Sequence, residues 1–386
     1  MKRVISLNIS DIHLGCRRLF ADWMVANLLE LILPYIPKIN LFVIQGDLFD
    51  TAVGFSDGAA PHIIRFITRL ISECDRHNVT MRILRGTFSH DRTQCAVLPE
   101  IHFAMRASND LRYVDKISVE YIEDLDLRVA YVPDNVPYHS SEEAVNALKD
   151  VMSSYGWDSV DYVYLHGSFA HTLPPVAAKS VKVLYREDQF DFVKRFVVVG
   201  HIHQHSVKGK IINNGSVDRL AHNEEEPKGF VLIDDDGSEA DITFVENTKA
   251  TQFLTYDMSD IPDEQSVLKT VEERIADLRR DVQTQIKIKH PRPDLGAAVV
   301  QHLRIAYPAI KFTHERIATE MRNEEGVDDA LAEDVVSATH ITVDTLPDLL
   351  QAPILSRFGT CIERKEIVRL LQLMENGDDL SRRTGL

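Results

Sequence analysis

The chain has 386 residues, more than a usual single domain, so we expect two domains or one large domain with an appendage. Its formal net charge of −16 argues against a general nucleic-acid coat, which needs excess lysine and arginine, but not against a phosphodiester substrate held by bound cations. Four cysteines without CxxC spacing indicate free thiols in a reducing compartment, and no apolar run approaches membrane-spanning length, which predicts a cytoplasmic protein without a membrane partner.

The first part of the chain alternates between strand-like and helix-like patterns. Strands are predicted over residues 3–9, 41–45 and 80–84, and helices with regularly spaced apolar residues over 23–33 and 63–74. This βαβαβ alternation is typical of a mainly parallel, buried sheet with its sites beyond the carboxyl ends of the strands.

From about residue 117 the predicted strands follow one another more closely. They cover residues 118–122, 127–132, 162–165, 196–199, 210–213 and 230–233. One predicted helix, over 141–155, interrupts them. The pattern predicts an α/β protein in which two sheets pack together with helices outside.

The composition shifts towards charged helices after about residue 246. Two strand-like and two helix-like segments then predict a small α/β appendage: 253–256, 266–280, 285–288 and 295–306. Apolar residues over 345–374 predict C-terminal helices that pack either on the protein's own core or on a partner. The predicted domains are residues 1–246, 247–335 and 336–386.

Five motifs rich in histidine and aspartate fall in order where strand-like runs end. They are Asp11-Ile-His13, Gly46-Asp47-Leu-Phe-Asp50, Ser89-His90-Asp91, His166-Gly167 and Gly200-His201-Ile-His203. An isolated Asp-x-His is more often a hydrogen-bonded pair than a ligand pair. The prediction of metal ligands therefore depends on all five motifs occurring in order. Mn²⁺ accepts both carboxylate and imidazole ligands, and residues two apart on an extended strand end share a face. The set therefore predicts a two-metal phosphoesterase site, in which the two oxygens of Asp47 can bridge the metals.

The order of these motifs resembles the calcineurin-like metallophosphoesterase superfamily, whose pattern is D-x-H, G-D-x-x-D, G-N-H-D/E, H and G-H-x-H. The match covers about residues 1–245. A closer resemblance, to the SbcD-like nuclease subunits that process DNA double-strand breaks in bacteria and phages, rests on residues 10–15, 46–50, 198–203, 214–216 and 226–232. It implies a four-layer α/β/β/α sandwich with a smaller α/β capping domain. It also implies Mn²⁺-dependent exonuclease and endonuclease activity in DNA repair, recombination or replication.

The same resemblance implies a role for each motif residue. Metal one would be held by Asp11, His13, Asp47 and His203, and metal two by Asp47, His166, His201 and Ser89. The third motif departs from the family pattern, because Gly86-Thr-Phe-Ser-His-Asp91 has two extra residues and Ser89 stands where the asparagine is expected. His90 would protonate the leaving oxygen or stabilise charge at phosphorus, and Asp91 or Asp50 would orient neighbouring histidines.

The partners implied by the resemblance are DNA, an SbcC-like coiled-coil ATPase bound through the C-terminal helices, and a second copy bound through helices between 62 and 106. The setting would be a bacterial or phage-infected cell. Four arginines flank the motifs and either contact phosphate or are surface charges: Arg17, Arg18, Arg85 and Arg92.

Two alternative functions stay open. One is a two-metal phosphoesterase acting on small phosphodiesters or phosphoproteins, and the other is a non-catalytic scaffold that retains the fold. The protein-phosphatase version is disfavoured, because Thr51 and Ala52 follow Asp50 where those enzymes carry Arg-Gly.

Overall fold

Two six-stranded sheets organise the computed structural model, which describes residues 1–134, 137–174, 178 and 181–316. In spatial order, the strands of the first sheet are β14 (Ala240–Glu246), β13 (Gly229–Asp235), β1 (Val4–Ile9), β2 (Leu41–Gln45), β3 (Thr80–Leu84) and β4 (Leu111–Val114). Strands β1 to β4 are parallel, and β13 and β14 add an antiparallel hairpin. Every residue of β2 and β3 is buried, which explains the nearly continuous apolar sequence of β2, whereas β3 also buries Arg82.

The second sheet has a parallel centre and antiparallel edges. In spatial order its strands are β11 (Ser206–Lys208), β12 (Ile211–Asn213), β10 (Val193–Gly200), β7 (Val160–His166), β6 (Leu127–Val132) and β5 (Ser118–Ile122). Strands β12, β10, β7 and β6 are parallel, whereas β11 and β5 pair antiparallel with their neighbours. A short parallel pair, β8 (Ser168–Phe169) and β9 (Leu184–Tyr185), follows β7 in the chain.

Helices cover one side of each large sheet. They are α1 (Ala21–Ile32), α2 (Ala60–Arg76), α4 (Val97–Ala104) and α5 (Ser141–Ser154), and a one-turn helix, α3 (Phe88–Asp91), precedes α4 in the chain. Met24 of α1, Phe66 of α2 and Leu98 of α4 share a core with Phe42 and Ile44 of the first sheet. Helix α5 packs on the second sheet in a separate core.

A third core contains side chains from both large sheets. Tyr131, Tyr162 and Tyr164 of the second sheet lie there with Val43 and Val231 of the first. Layers of helix and sheet around shared cores define the α/β class, so the predicted fold class is confirmed at that level.

A smaller parallel sheet completes the described residues. It contains β15 (Gln252–Asp257), β16 (Thr284–His290) and β17 (Ile310–Arg316), with helices Glu264–Ala276 and Pro293–Ala306. These elements have a core of their own. The ammonium of Lys311 donates hydrogen bonds of 2.8 Å to the carbonyls of Arg17 and Leu19, so this sheet contacts the loop that follows His13.

The described residues all belong to one compact unit, Met1–Ile317. The predicted boundary near residue 246 stays a prediction. The predicted C-terminal helices over 345–374 lie outside the described residues. Among the helices that are described, we find none long and apolar enough to cross a bilayer.

Candidate metal centre

The five motifs converge because their strands end at neighbouring positions. Asp11 and His13 follow β1, Asp47 follows β2, His166 ends β7 and His201 follows β10. The structure brings their side chains into three groups, within each of which the possible ligand atoms lie within 4.8 Å of one another. The groups are Asp11, His13 and His203; Asp47, His166 and His201; and His13, Asp50 and His90.

The turns that carry these residues have unusual backbone angles. Asp11, His13, Asp47 and His201 have φ values of 52°, 53°, 51° and 107°, a region that residues other than glycine rarely adopt. Backbone hydrogen bonds hold two of the turns together, since the amides of Ile12 and His13 both donate to the Asp47 carbonyl, at 2.9 and 3.0 Å. Strained backbone of this kind clusters at functional sites, where the surrounding structure enforces it.

Two glycines allow the turns to approach closely. A Cβ atom on Gly86 would collide with the backbone nitrogen and a carboxylate oxygen of Asp47. Gly46 has a φ of +86°, and a Cβ atom there would collide with the ring of His166. Both motif glycines are therefore required by the local packing.

Asp47 lies between two of the groups. Its Oδ2 is 3.9 Å from His13 Nε2 and 3.5 Å from His166 Nε2. Its Oδ1 accepts a 2.6 Å hydrogen bond from the amide of Thr87. Burial opposes ionisation of Asp47, but the neighbouring His166 and His13 lower its pKa. The carboxylate is thus positioned to contact a cation in either group.

Hydrogen bonds fix which nitrogen of two histidines faces the cluster. His166 Nδ1 donates to the Gln45 carbonyl at 2.6 Å, which leaves Nε2 beside Asp47. His203 Nδ1 contacts Glu224 Oε1 at 3.0 Å, and its Nε2 lies 3.9 Å from Asp11 Oδ1. Metal-binding histidines commonly donate their other ring N–H to a carbonyl or carboxylate in this way.

The buried ring nitrogens of His13 are available to bind a cation. Both of its ring nitrogens are buried without a well-formed hydrogen bond within the described part of the chain. Its Nδ1 lies 3.3 Å from Asp50 Oδ1, and this contact lowers the pKa of Asp50. Buried polar atoms normally have partners, so unpaired nitrogens beside carboxylates fit a bound divalent ion.

In the group of Asp47, His166 and His201, a proton on His166 competes with a cation. Burial opposes protonation of His166, but the Asp47 carboxylate raises the pKa of His166 to about 10. Burial and the nearby His166 both lower the pKa of His201. Without a bound cation, the Asp47 carboxylate therefore keeps a proton on His166. A cation that binds to His166 has to displace this proton.

The third motif places a different residue in the cluster from the one predicted. Ser89 is exposed on the one-turn helix α3, and among the described residues it makes no hydrogen bond to Asp47, His166 or His201. Thr87 Oγ1 instead lies 3.2 Å from Asp47 Oδ2, 3.4 Å from His166 Nε2 and 3.5 Å from His201 Nδ1. The sequence held a signal for Thr87, because it directly follows Gly86 as asparagine follows glycine in G-N-H-D.

His90, Asp50 and Asp91 have distinct surroundings. His90 Nδ1 donates to the Asp50 carbonyl at 2.7 Å, and its ring centre is 4.7 Å from that of His13. Asp50 contacts His13, as the orienting role requires. Asp91 instead accepts backbone hydrogen bonds from Asp47, Phe49 and Gly86, at 3.1, 3.0 and 2.7 Å, although burial raises its pKa. It therefore holds the turns themselves.

The four flanking arginines differ in their contacts. Arg18 donates to the Leu220 carbonyl at 2.6 Å, and Arg85 donates to the Asp134 carbonyl at 2.8 Å, so both have structural partners. Arg17 and Arg92 are exposed.

Sequence reasoning assigned no role to Glu224 or Lys228. The buried Lys228 ammonium donates to Glu224 Oε2 at 2.8 Å and to the His203 carbonyl at 2.9 Å. Burial opposes ionisation of Glu224, but His203 and Lys228 lower its pKa to about 2. The sequence signal for this extension was the segment 226–232, which carries part of the resemblance and contains Lys228, a lysine that the structure leaves only 1% exposed.

Comparison with known proteins gives matches to solved structures. No protein-family model and no curated protein matches the chain. One solved structure, described as GAP50, the anchor in the inner membrane complex of Plasmodium, matches at 15% identity and a TM-score of 0.39, over 65% of this chain and 86% of that one. A second matches at 11% identity and a TM-score of 0.37, over 63% of this chain and 99% of that one.

Proposed function

We propose that the protein is a two-metal phosphodiesterase that cleaves DNA. The proposal rests on the position of Asp47. Its Oδ2 faces His13 on one side and His166 on the other. Each of those histidines belongs to a group of three potential ligands. One carboxylate between two such groups is the arrangement that a bridged pair of divalent ions needs.

The residues suit Mn²⁺, which accepts mixed carboxylate and imidazole ligands. Two such ions would stabilise charge on the phosphate and activate a water for in-line attack. His90 would contribute to the proton transfer. Its Nδ1–H donates a hydrogen bond to the Asp50 carbonyl. Its Nε2 is therefore the atom that takes up and releases a proton near the leaving oxygen.

His90→Ala is expected to keep Mn²⁺ binding but to slow DNA cleavage by about 10²- to 10⁴-fold, the usual contribution of a general acid. Turnover measurements at saturating Mn²⁺, together with calorimetric Mn²⁺ titration, check this. Undiminished turnover would contradict the proton-transfer role of His90.

We also propose that the fold is the four-layer α/β/β/α sandwich of the calcineurin-like metallophosphoesterases, of the SbcD-like type. The core shared by the two large sheets and the helices packed against each sheet support this. In this proposal residues 1–246 form the nuclease domain and residues 247–335 the α/β capping domain, which contains the small sheet of 252–316. Its contacts with Arg17 and Leu19 place it beside the loop after His13.

The proposed partners are a second copy of the chain and an SbcC-like ATPase. Four exposed apolar residues on and beside α2 and α4 support dimerisation there: Ile64, Val97, Phe103 and Met105. The ATPase would bind the C-terminal helices, which lie outside the described residues.

Digestion of linear duplex DNA tests the proposal. With Mn²⁺ present, the wild-type protein should degrade the duplex, and Asp47→Ala should abolish degradation. Asp150→Ala, which removes an exposed carboxylate on α5, is the matched control and should remain active. Cleavage of a small chromogenic diester without DNA degradation would favour the small-substrate alternative. No hydrolysis of either substrate would favour the non-catalytic scaffold.

A further inference from the structure

The group Asp47, His166 and His201, here called the second position, contains a fourth polar atom, the hydroxyl of Thr87. This oxygen lies 3.2 Å from Asp47 Oδ2, 3.4 Å from His166 Nε2 and 3.5 Å from His201 Nδ1. Asp47 Oδ2 and His166 Nε2 are themselves 3.5 Å apart. The four separations are nearly equal.

Equal separations of this size are those expected between ligands of one ion. Nitrogen and oxygen ligands at about 2.1 Å from a metal lie about 3.0 Å apart in an octahedron and about 3.4 Å apart in a tetrahedron. A hydroxyl engaged in an ordinary O–H···O hydrogen bond would approach its acceptor to about 2.7 to 2.8 Å. The Thr87 oxygen is therefore placed as a ligand would be.

The backbone fixes this placement. The Thr87 amide donates to Asp47 Oδ1 at 2.6 Å, so one residue contacts both oxygens of the bridging carboxylate. The preceding Gly86 packs directly against Asp47, which leaves little freedom for the turn. The two extra residues of the motif, Phe88 and Ser89, are exposed on α3 and do not displace Thr87.

We propose that Thr87, and not Ser89, supplies the fourth protein ligand of the second position, and that its neutral hydroxyl makes this position the weaker of the two. The inference rests on the proposed two-metal function. The first position combines Asp11, His13 and His203 with the shared Asp47, all of them carboxylate or imidazole ligands. A hydroxyl is a poorer donor than these or an amide oxygen. The two ions therefore bind in sequence, and occupancy of the second position limits activity at low metal concentration.

Calorimetric titration with Mn²⁺ tests this inference, and electron paramagnetic resonance of the same samples detects a spin-coupled pair. Wild-type protein should bind two ions, the second at least about tenfold more weakly. Thr87→Val should lose the second binding event and the coupled signal while keeping the first. Thr87→Asn should tighten the second event, and Ser89→Ala should match the wild type.

Thr87→Ser keeps the hydroxyl and should retain both events, which separates loss of the ligand from a disturbed turn. Two ions bound to Thr87→Val with wild-type affinities would overturn the inference, as would loss of the second ion in Ser89→Ala. A wild-type protein that binds no Mn²⁺ would contradict this inference and the proposed function together. The expected titration pattern without cleavage of DNA would support the inference and contradict only the proposed function.

Discussion

Glu224 contacts one ring nitrogen of His203, and the other, Nε2, faces Asp11. The carboxylate contacts His203 Nδ1 at 3.0 Å and is held in turn by the buried Lys228. Such carboxylate–histidine pairs fix the ring orientation and raise the basicity of the ligating nitrogen. In the proposed metal site, this network would therefore orient the ligand His203 without binding the metal itself.

Glu224→Gln should weaken Mn²⁺ binding at the first position by about 10- to 100-fold, because the amide cannot supply the negative charge. Calorimetric titration measures the affinity, and circular dichroism checks that the variant is folded. Glu225→Gln, at the exposed neighbouring residue, should bind like the wild type. Unchanged affinity in Glu224→Gln would show that the ion pair serves stability alone.

Asp218 has a buried carboxyl group, with 1% exposure. Burial raises its pKa from 3.8 to about 6, although its Oδ1 accepts hydrogen bonds from the amides of Arg219 and Thr251. The folded chain then binds more protons than the unfolded chain between these pH values. The free energy of unfolding should therefore fall as pH rises from about 4 to 6.

Asp218→Asn removes this titration. The amide oxygen can still accept from both backbone amides, and its nitrogen can donate to Thr251 Oγ1, which now donates to Asp218 Oδ2 at 3.1 Å. One pKa unit corresponds to about 1.4 kcal/mol, so the variant should be more stable than wild type by up to about 3 kcal/mol at pH 7.5, and by less at pH 5. Urea unfolding at both pH values measures this, and an equal difference at both would contradict the pKa assignment.

At the scale of elements, the turn after β3 is tied to the turn after β2 by a single carboxylate. Asp91 accepts hydrogen bonds from the amides of Asp47, Phe49 and Gly86. An asparagine has only one acceptor oxygen, so at least one of these buried amides would lose its partner. Each such loss costs about 1 to 3 kcal/mol.

Asp91→Asn should therefore lower the free energy of unfolding by at least about 1 kcal/mol, as measured by urea denaturation. Asp150→Asn, at an exposed helix position, should leave the unfolding curve unchanged. If Asp91→Asn unfolds like the wild type but loses nuclease activity, the catalytic role that the sequence predicts for Asp91 is the better account.

The elements that could be predicted from the sequence are those with a strong apolar pattern. The bounds predicted for β2, β3, β5 and β6 are the ones observed, because central or core-facing strands carry continuous or alternating apolar residues. Four edge strands of the three larger sheets were not predicted: β4, β11, β14 and β17. Strand β14 has only partly buried or exposed residues, so its sequence lacks that pattern.

The candidate site, too, could be predicted from the sequence only in part. Motif order at strand ends was enough to predict that Asp11, Asp47, His166 and His201 would lie together, because parallel strands bring their carboxyl ends to one edge. It could not decide whether the two extra residues of the third motif are Thr87 and Phe88 or Phe88 and Ser89. That depends on the short helix α3, which exposes Ser89 and leaves Thr87 beside Asp47.

For the whole molecule, the proposed dimer makes a separate prediction. Phe103 on α4 is 81% exposed, and Ile64 on α2 and Val97 on α4 are also exposed. Phe103→Asp should shift the chain from dimer to monomer in analytical ultracentrifugation, because it puts a charge into an apolar contact. Ile305→Asp changes an equally exposed apolar residue on another helix and should not alter the mass. A dimer that persists in Phe103→Asp would place the interface elsewhere.

Anomalous X-ray diffraction at the manganese edge, from crystals soaked in Mn²⁺, shows whether Asp47 bridges two cations. We expect two anomalous peaks about 3.5 to 4 Å apart. One should lie among Asp11, His13 and His203, the other among His166, His201 and Thr87, with Asp47 touching both. A single peak, or peaks that do not share Asp47, would contradict the two-metal site.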